Sequence, residues 1–179
     1  MTRIEAIVAQ MGLLPHHQVL EVGCGHGVTA GLICHQLHHG HLVAIDRSEK
    51  MIAAAMKRNA TDVESGRADF LVADVKDYQP GQRRFDLILA IRVGFFHREP
   101  KQARSLVTPW LRPGGRLVSI YDQPTSAALD PGGDGVLAIH RCAGVMKAGG
   151  VARARCSQAR VEGPGNVCGG ENSLNDRGC

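Results

Sequence analysis

The sequence predicts an α/β protein, a doubly wound and mainly parallel sheet with helices on both faces, and three observations carry that expectation. The apolar run Val19-Leu20-Glu21-Val22 meets glycines at 23, 25 and 27, after which a helix-like pattern begins. Apolar runs recur at 41–46, 70–74, 85–91 and, after the turn Pro113-Gly114-Gly115, through Val118; the first two of these close on Asp46 and Asp74. Helical spacings separate them, as in Met51, Ile52, Ala55 and Met56, and another (Ile4, Ile7, Val8, Met11) opens the chain. Strands alternating with helices build parallel sheets, because a crossover helix returns the next strand in the same direction.

The glycine run sets the first connection. Glycine at alternating positions removes each Cβ that would hold a ligand off the backbone, and it permits the positive φ of a tight strand-to-helix turn. The helix start beyond it offers unpaired N–H groups and a positive dipole end, which suits an anionic group. Spacing then separates two ligand classes. A dinucleotide site calls for Gly-x-Gly-x-x-Gly, whereas the third glycine here is Gly27 and Val28 takes the dinucleotide position. Acidic-x-Gly-x-Gly-x-Gly, led by Glu21, resembles instead the first motif of the class I S-adenosylmethionine (SAM)-dependent methyltransferases, whose fold is Rossmann-like. The resemblance continues through the four later strands, the last preceded by the Pro-Gly-Gly signature at 113–115, and covers residues 1 to about 122.

That resemblance implies SAM as cofactor and distributes roles by position. The backbone of Gly23, Cys24, Gly25 and Gly27 approaches the methionine part, and Glu21 meets its ammonium end. Asp46 accepts the ribose hydroxyls, with Arg47 beside it. Asp74 and the backbone N–H of Val75 read the adenine, Met51 covers its face, and Ile91 closes the set. For several of these a structural role competes: Glu21 as a strand-terminal acid bonded to backbone, Asp46 as a helix cap, Met51 as a core residue. The fourth strand and its exit, 90–98, face the methyl-acceptor side. His97 is there the nearby group whose ordinary pKa lies near neutrality, which makes it the candidate general base against the alternative of a structural histidine. Arg92 is read either as orienting an anionic acceptor or as pairing an acid. Amino-methylating nucleic-acid enzymes of this family carry Asn/Asp-Pro-Pro-Tyr at this exit, and the tetrad is missing from 90–98, which argues against base N-methylation.

Bulk properties fit one globular domain. The 179 residues suffice for a real core, and no apolar run approaches the roughly 18 residues of a membrane span. The N-terminal pattern is interrupted by Arg3 and Glu5 and does not read as a signal peptide, so the cytoplasm is the expected compartment. Charge is dispersed: 15 Lys/Arg against 12 Asp/Glu in residues 1–122, and 6 against 5 thereafter, so no basic stripe supports nucleic acid as partner. The six cysteines include no Cys-x-x-Cys pair and are expected as reduced thiols rather than zinc ligands. Cys34, His35, His38, His39 and His41 cluster, with His35 and His39 sharing a helix face if Gly40 ends the helix. No acid with ligand spacing joins them, so they are expected as a solvated helix end and no metal is assigned. His26 is expected to face solvent.

The chain changes character near residue 122. Every aromatic residue lies at or before Tyr121, and the last 49 residues hold 11 of the 22 glycines. The resemblance implies two further strands, the last inserted antiparallel between the fifth and sixth. Residues 136–139 and 151–156 are the candidates, and neither has β-branched or aromatic weight. Residues 123–179 are therefore expected as an atypical, poorly ordered tail, of the kind an out-of-frame reading gives, and residues 1–122 as the SAM-binding unit. A small-molecule methyltransferase is the first functional expectation; a non-catalytic or truncated SAM-binding domain is the second, and a nicotinamide oxidoreductase, disfavoured by Val28, the third.

Overall fold

The computed structural model describes residues 2–121, 136–143 and 155–161. Seven strands form one sheet: β1 (Gln18–Val22), β2 (His41–Asp46), β3 (Ala68–Val72), β4 (Phe85–Ile91), β5 (Leu111–Tyr121), β6 (Val136–Ala143) and β7 (Arg155–Val161). Their order is β3-β2-β1-β4-β5-β6-β7, parallel through β5 and antiparallel beyond. The order reverses between β1 and β4, which opens a crevice beyond the carboxyl ends of these strands, the place where open α/β sheets bind ligands.

The helices α1 (Arg3–Gln10), α2 (Val28–Cys34), α3 (Glu49–Arg58), α4 (Ala60–Glu64), α5 (Gly94–Arg98) and α6 (Pro100–Val107) cover the sheet. Local chemistry fixes their ends. Thr2 and Glu5 form a reciprocal capping box before α1. Ser48 caps α3, its Oγ accepting from the Met51 N–H at 3.4 Å, with Glu49 in the first turn and Lys57 and Arg58 in the last to complement the dipole. The two sheet faces make two cores. Val19, Leu42, Ala44, Leu87 and Leu89 pack with Val8, Ile33 and Ile52 on one face. Leu20, Val43, Ile45, Ile88 and Leu117 pack with Phe95, Phe96, Val107 and Trp110 on the other. Burial of both faces explains the near-continuous apolar runs of β1, β2 and β4.

Several local expectations need correction. The third run ends as a strand at Val72, so Asp74 stands two residues beyond β3. The exit of β4 is helical at Gly94–Arg98, because Phe95 and Phe96 bury against the second core. Gly40 does not end a helix: α2 stops at Cys34, and His39 donates its N–H to the Pro15 carbonyl at 2.9 Å. Its glycine is required because a Cβ there would lie 2.3 Å from the His17 carbonyl oxygen. The Pro-Gly-Gly turn lies within β5, as an irregularity where the partner of β4 jumps from Leu111 to Arg116.

Two stretches of the tail are among the described residues. Val136–Ala143 pairs antiparallel with β5, and Arg155–Val161 pairs antiparallel with β6; the remainder of the tail lies outside the described residues. These strands overlap the two candidates of the sequence, β6 over 136–139 and β7 at 155–156, and their lack of β-branched weight matters little because the pairing rests on backbone groups, for which the edge of β5 is a template. The strands follow in sequence order, so β6 rather than the last strand adjoins β5, unlike the inserted arrangement that the resemblance implied.

Candidate functional site

The carboxyl ends of β1, β2 and β4 gather most of the predicted residues. After β1 the chain turns through Gly23 (φ 74°), Gly25 (φ 53°) and Gly27 (φ 74°), all in the left-handed region that glycine adopts without strain. The N–H groups of Gly23 and Cys24 both donate to the Ile45 carbonyl, at 2.8 and 3.1 Å, which folds the loop back over the end of β2. There Asp46 holds it. One carboxylate oxygen accepts the Gly25 N–H at 2.9 Å and the other accepts the Ser48 N–H at 2.9 Å. Asp46 is thus not the α3 cap, a role that Ser48 fills.

The three glycines do different work. A Cβ on Gly27 would lie 2.5 Å from Asn59 Nδ2 and 2.8 Å from Ala55 Cβ, so this glycine admits α3. A Cβ on Gly23 would lie 2.7 Å from Val93 Cγ2, so that glycine admits the exit of β4. Around Gly25 a Cβ would meet nothing within 4 Å: its outer side is open. This is a cradle that a side chain would fill and that no neighbouring protein atom occupies.

Glu21 supplies the decisive electrostatic feature. It is 3% exposed at the end of β1, and its Oε2 has no hydrogen-bond partner. Burial pushes its pKa up to about 8, the hydroxyl of buried Thr29 pulling it down and the charge of Asp46 pushing it further up. An orphaned, buried carboxylate oxygen calls for a cationic or protonated donor from outside the chain. Cys24 is buried beside it, and burial pushes its thiol up to about 12, with Glu21 and Asp46 adding to the effect, so the thiolate is disfavoured.

The other predicted residues fall around this centre. Asp74 is half-buried, one carboxylate oxygen accepting the Lys76 N–H at 2.9 Å, and Val75 behind it is buried in the second core. Met51 is half-buried at the start of α3, Arg47 is exposed, and Ile91 ends β4 partly packed on the first core. His26 is exposed, and His97 lies exposed on the last turn of α5. Among the described residues no group of three or more His, Cys, Asp or Glu could hold a metal ion. His41, from the histidine cluster, is engaged elsewhere, its Nε2 meeting Asp69 at 3.1 Å.

Two contributors, Asn59 and Thr29, were not singled out in the sequence, and the backbone bend at a third residue, Arg92, was not foreseen. Asn59, 5% exposed, donates from Nδ2 to the Gly27 carbonyl at 3.0 Å and the Ala55 carbonyl at 2.8 Å, which clamps the loop to α3. Gly27 and Gly31, one helical turn apart, were the available signal for an element pressed against α2. Thr29 faces Glu21 and left no signal beyond its polarity in an apolar helix. Arg92 takes φ 57° between β4 and α5, its N–H donating to the Ile120 carbonyl at 2.7 Å, and this bend precedes the Val93 contact on Gly23. A left-handed arginine cannot be read from sequence.

The family model described as a methyltransferase domain matches residues 19–115, more than half of the chain. The chain belongs to this methyltransferase domain family. It is 34% identical over 108 residues to an O-methyltransferase of Pyrenophora dematioidea, covering 60% of this chain and 40% of that one. It is 33% identical over 103 residues to the malonyl-[acyl-carrier protein] O-methyltransferase of Paenibacillus sp., covering 56% of this chain and 37% of the other. The chain therefore spans about two-fifths of the length of these curated relatives. Among solved structures it is similar in fold to a SAM-dependent methyltransferase from Thiobacillus denitrificans in complex with S-adenosyl-L-homocysteine (SAH), at TM-score 0.57 and 20% identity over 65% of this chain and 46% of that one. The plantazolicin methyltransferase BpumL, solved with SAH, gives TM-score 0.54 and 24% identity over 66% and 45%. Among the described residues no helix is long and apolar enough to cross a membrane.

Proposed function

We propose that this domain binds SAM in the glycine loop and transfers its methyl group to a small-molecule acceptor. The observation that carries this reading is the orphaned Oε2 of buried Glu21 beside an open, positive-φ glycine cradle. The residues present fit the cofactor: a cation-seeking carboxylate at Glu21, backbone free of Cβ at Gly23 and Gly25, and a second carboxylate at Asp46. The unit concerned is residues 1–122, since every residue proposed for the site lies there, with 123–179 as an atypical extension.

When bound, SAM supplies a methyl group on a sulfonium, electrophilic enough for in-line displacement by an acceptor nucleophile. The chain's own part is to bind, orient and exclude water. Glu21 would hold the ammonium group as a carboxylate, its proton released to solvent. Asp46 already uses both oxygens on backbone N–H groups, and each oxygen retains acceptor capacity for a ribose hydroxyl. Asp74, with the N–H of Val75, reads the adenine, and Met51 and Arg47 flank it. Val93, pressed on Gly23, and Ile91 border the acceptor side. His97, exposed on the last turn of α5, is the candidate base for an acceptor that arrives protonated. The acceptor class follows from dispersed charge and the missing Asn/Asp-Pro-Pro-Tyr tetrad, and the names of the curated relatives, O-methyltransferases among them, support it. We place the site in the cytoplasm, where buried thiols such as Cys24 and Cys34 stay reduced.

Calorimetric titration with SAM, SAH and NAD tests the reading. Saturable binding of SAM and SAH, weakened in Asp46→Ala, is expected; binding of NAD alone overturns it. A second reading, cofactor binding without turnover, is favoured by the sequence-ordered β5-β6-β7 arrangement, which departs from the inserted last strand that the resemblance implied. Methyl transfer to any member of a metabolite panel decides between the two.

A further inference from the structure

We propose that a cavity between α2 and the α3–α4 turn binds a small phosphate-bearing anion at a site separate from the glycine loop. The cavity has a volume of about 510 Å³, within the range of small-molecule sites. Arg58, Arg67, His35, His38 and Thr61 line it, and Asp62 is the one carboxylate among the lining residues. That carboxylate is already engaged. Its Oδ1 accepts from Arg67 Nε at 3.1 Å and Nη2 at 2.7 Å, which neutralises Asp62 and fixes the Arg67 fork while leaving further N–H donors on it.

Arg58 is the unmatched charge. It stands exposed at the last position of α3, and among the described residues no hydrogen bond or ion pair engages it. With Asp62 paired to Arg67, the charge of Arg58 leaves the lining positive. Guanidinium forks match phosphate oxygens in pairs, and the Thr61 hydroxyl and the two imidazoles add single donors of adjustable direction. Leu37 and Cys34, both buried, give the cavity an apolar floor for an organic substituent.

The site is also coupled to the cofactor loop. Asn59 lines the cavity and at the same time holds the Gly27 carbonyl at 3.0 Å. An occupant that fixes Asn59 therefore steadies the loop without touching it.

The test uses inorganic pyrophosphate as probe, titrated calorimetrically into the full chain at fixed ionic strength, with and without SAH. Saturable 1:1 binding in both conditions is expected, weakened about tenfold or more in Arg58→Gln, as for loss of a charged hydrogen-bonding partner. Arg58→Lys keeps the charge without the fork and should fall between. Amide shifts on titration should centre on Gly31, His35, His38 and Thr61. No saturable binding at millimolar probe, equal binding by Arg58→Gln, or binding abolished by SAH with shifts confined to residues 23–27 would each overturn the proposal. The site does not depend on the methyltransferase reading, because pyrophosphate binding is read even if SAH fails to bind.

Discussion

The loop over the ends of β1 and β2 and the bend after β4 border the same crevice, yet they are built by opposite means. The first is a run of glycines held from outside, by Asp46 from β2 and by Asn59 from the end of α3. The second has an arginine forced to φ 57° and a valine pressed into the space that Gly23 leaves. A cradle for a ligand must keep its backbone bare, so it shows in sequence as glycines and acids. A wall is shaped by ordinary apolar side chains, and such side chains look the same whether they face a ligand or the core.

The largest test of this contrast compares two glycines in the loop. Gly27→Ala drives a methyl group into Asn59 and Ala55 at a positive φ, and should cost about 2–5 kcal/mol of folding stability by denaturant unfolding. Gly25→Ala shares the φ penalty of about 1–2 kcal/mol but meets open space, so its main loss should be SAH affinity, and Gly25→Val should abolish binding. Equal stability losses at the two positions would dissolve the division of labour between them. Next in size, Asp46→Ala should weaken SAM binding by roughly 1.5–3 kcal/mol, the range for hydrogen bonds to a charged group. Unchanged affinity in the folded variant removes Asp46 from the site.

Glu21 sharpens the comparison through pH. Its folded pKa of about 8 lies above its ordinary value of 4.5, so its contribution to stability is full below 4.5 and is lost as pH rises through 8. Melting temperatures of the ligand-free protein from pH 5 to 9 should fall more steeply than those of Glu21→Gln. SAM affinity should rise over the same window, since ionised Glu21 is the form that meets an ammonium, and that rise should vanish in the glutamine variant. The smallest effect belongs to the opposite side of the crevice. His97→Ala should alter folding stability by no more than about 0.5 kcal/mol and leave SAH affinity unchanged, because the side chain is exposed on α5. A drop in turnover with intact SAH binding would make it the base.

What could be read from the chain follows the same line. The bounds of β2 and β4 and the alternation of strands with helices were legible because burial on both faces leaves unbroken apolar runs. Glu21, Asp46 and the three glycines were legible because each breaks the local pattern. Asn59 was not, since an amide at the end of α3 looks like an ordinary helix cap until its partner on α2 is known. The helix 94–98 was hidden by its length, and the extent of β6 and β7 by a pairing that depends on backbone rather than on residue type. Arg92 was hidden because left-handed backbone at a charged residue is imposed by its surroundings.

The double engagement of Asp46 has a kinetic consequence. With Gly25 and Ser48 already anchored to its two oxygens, the receiving surface is organised before any guest arrives, and the entropy of ordering it is spent in folding rather than in association. Capture should therefore be a single fast phase whose rate rises in proportion to guest concentration, with no slow isomerisation behind it.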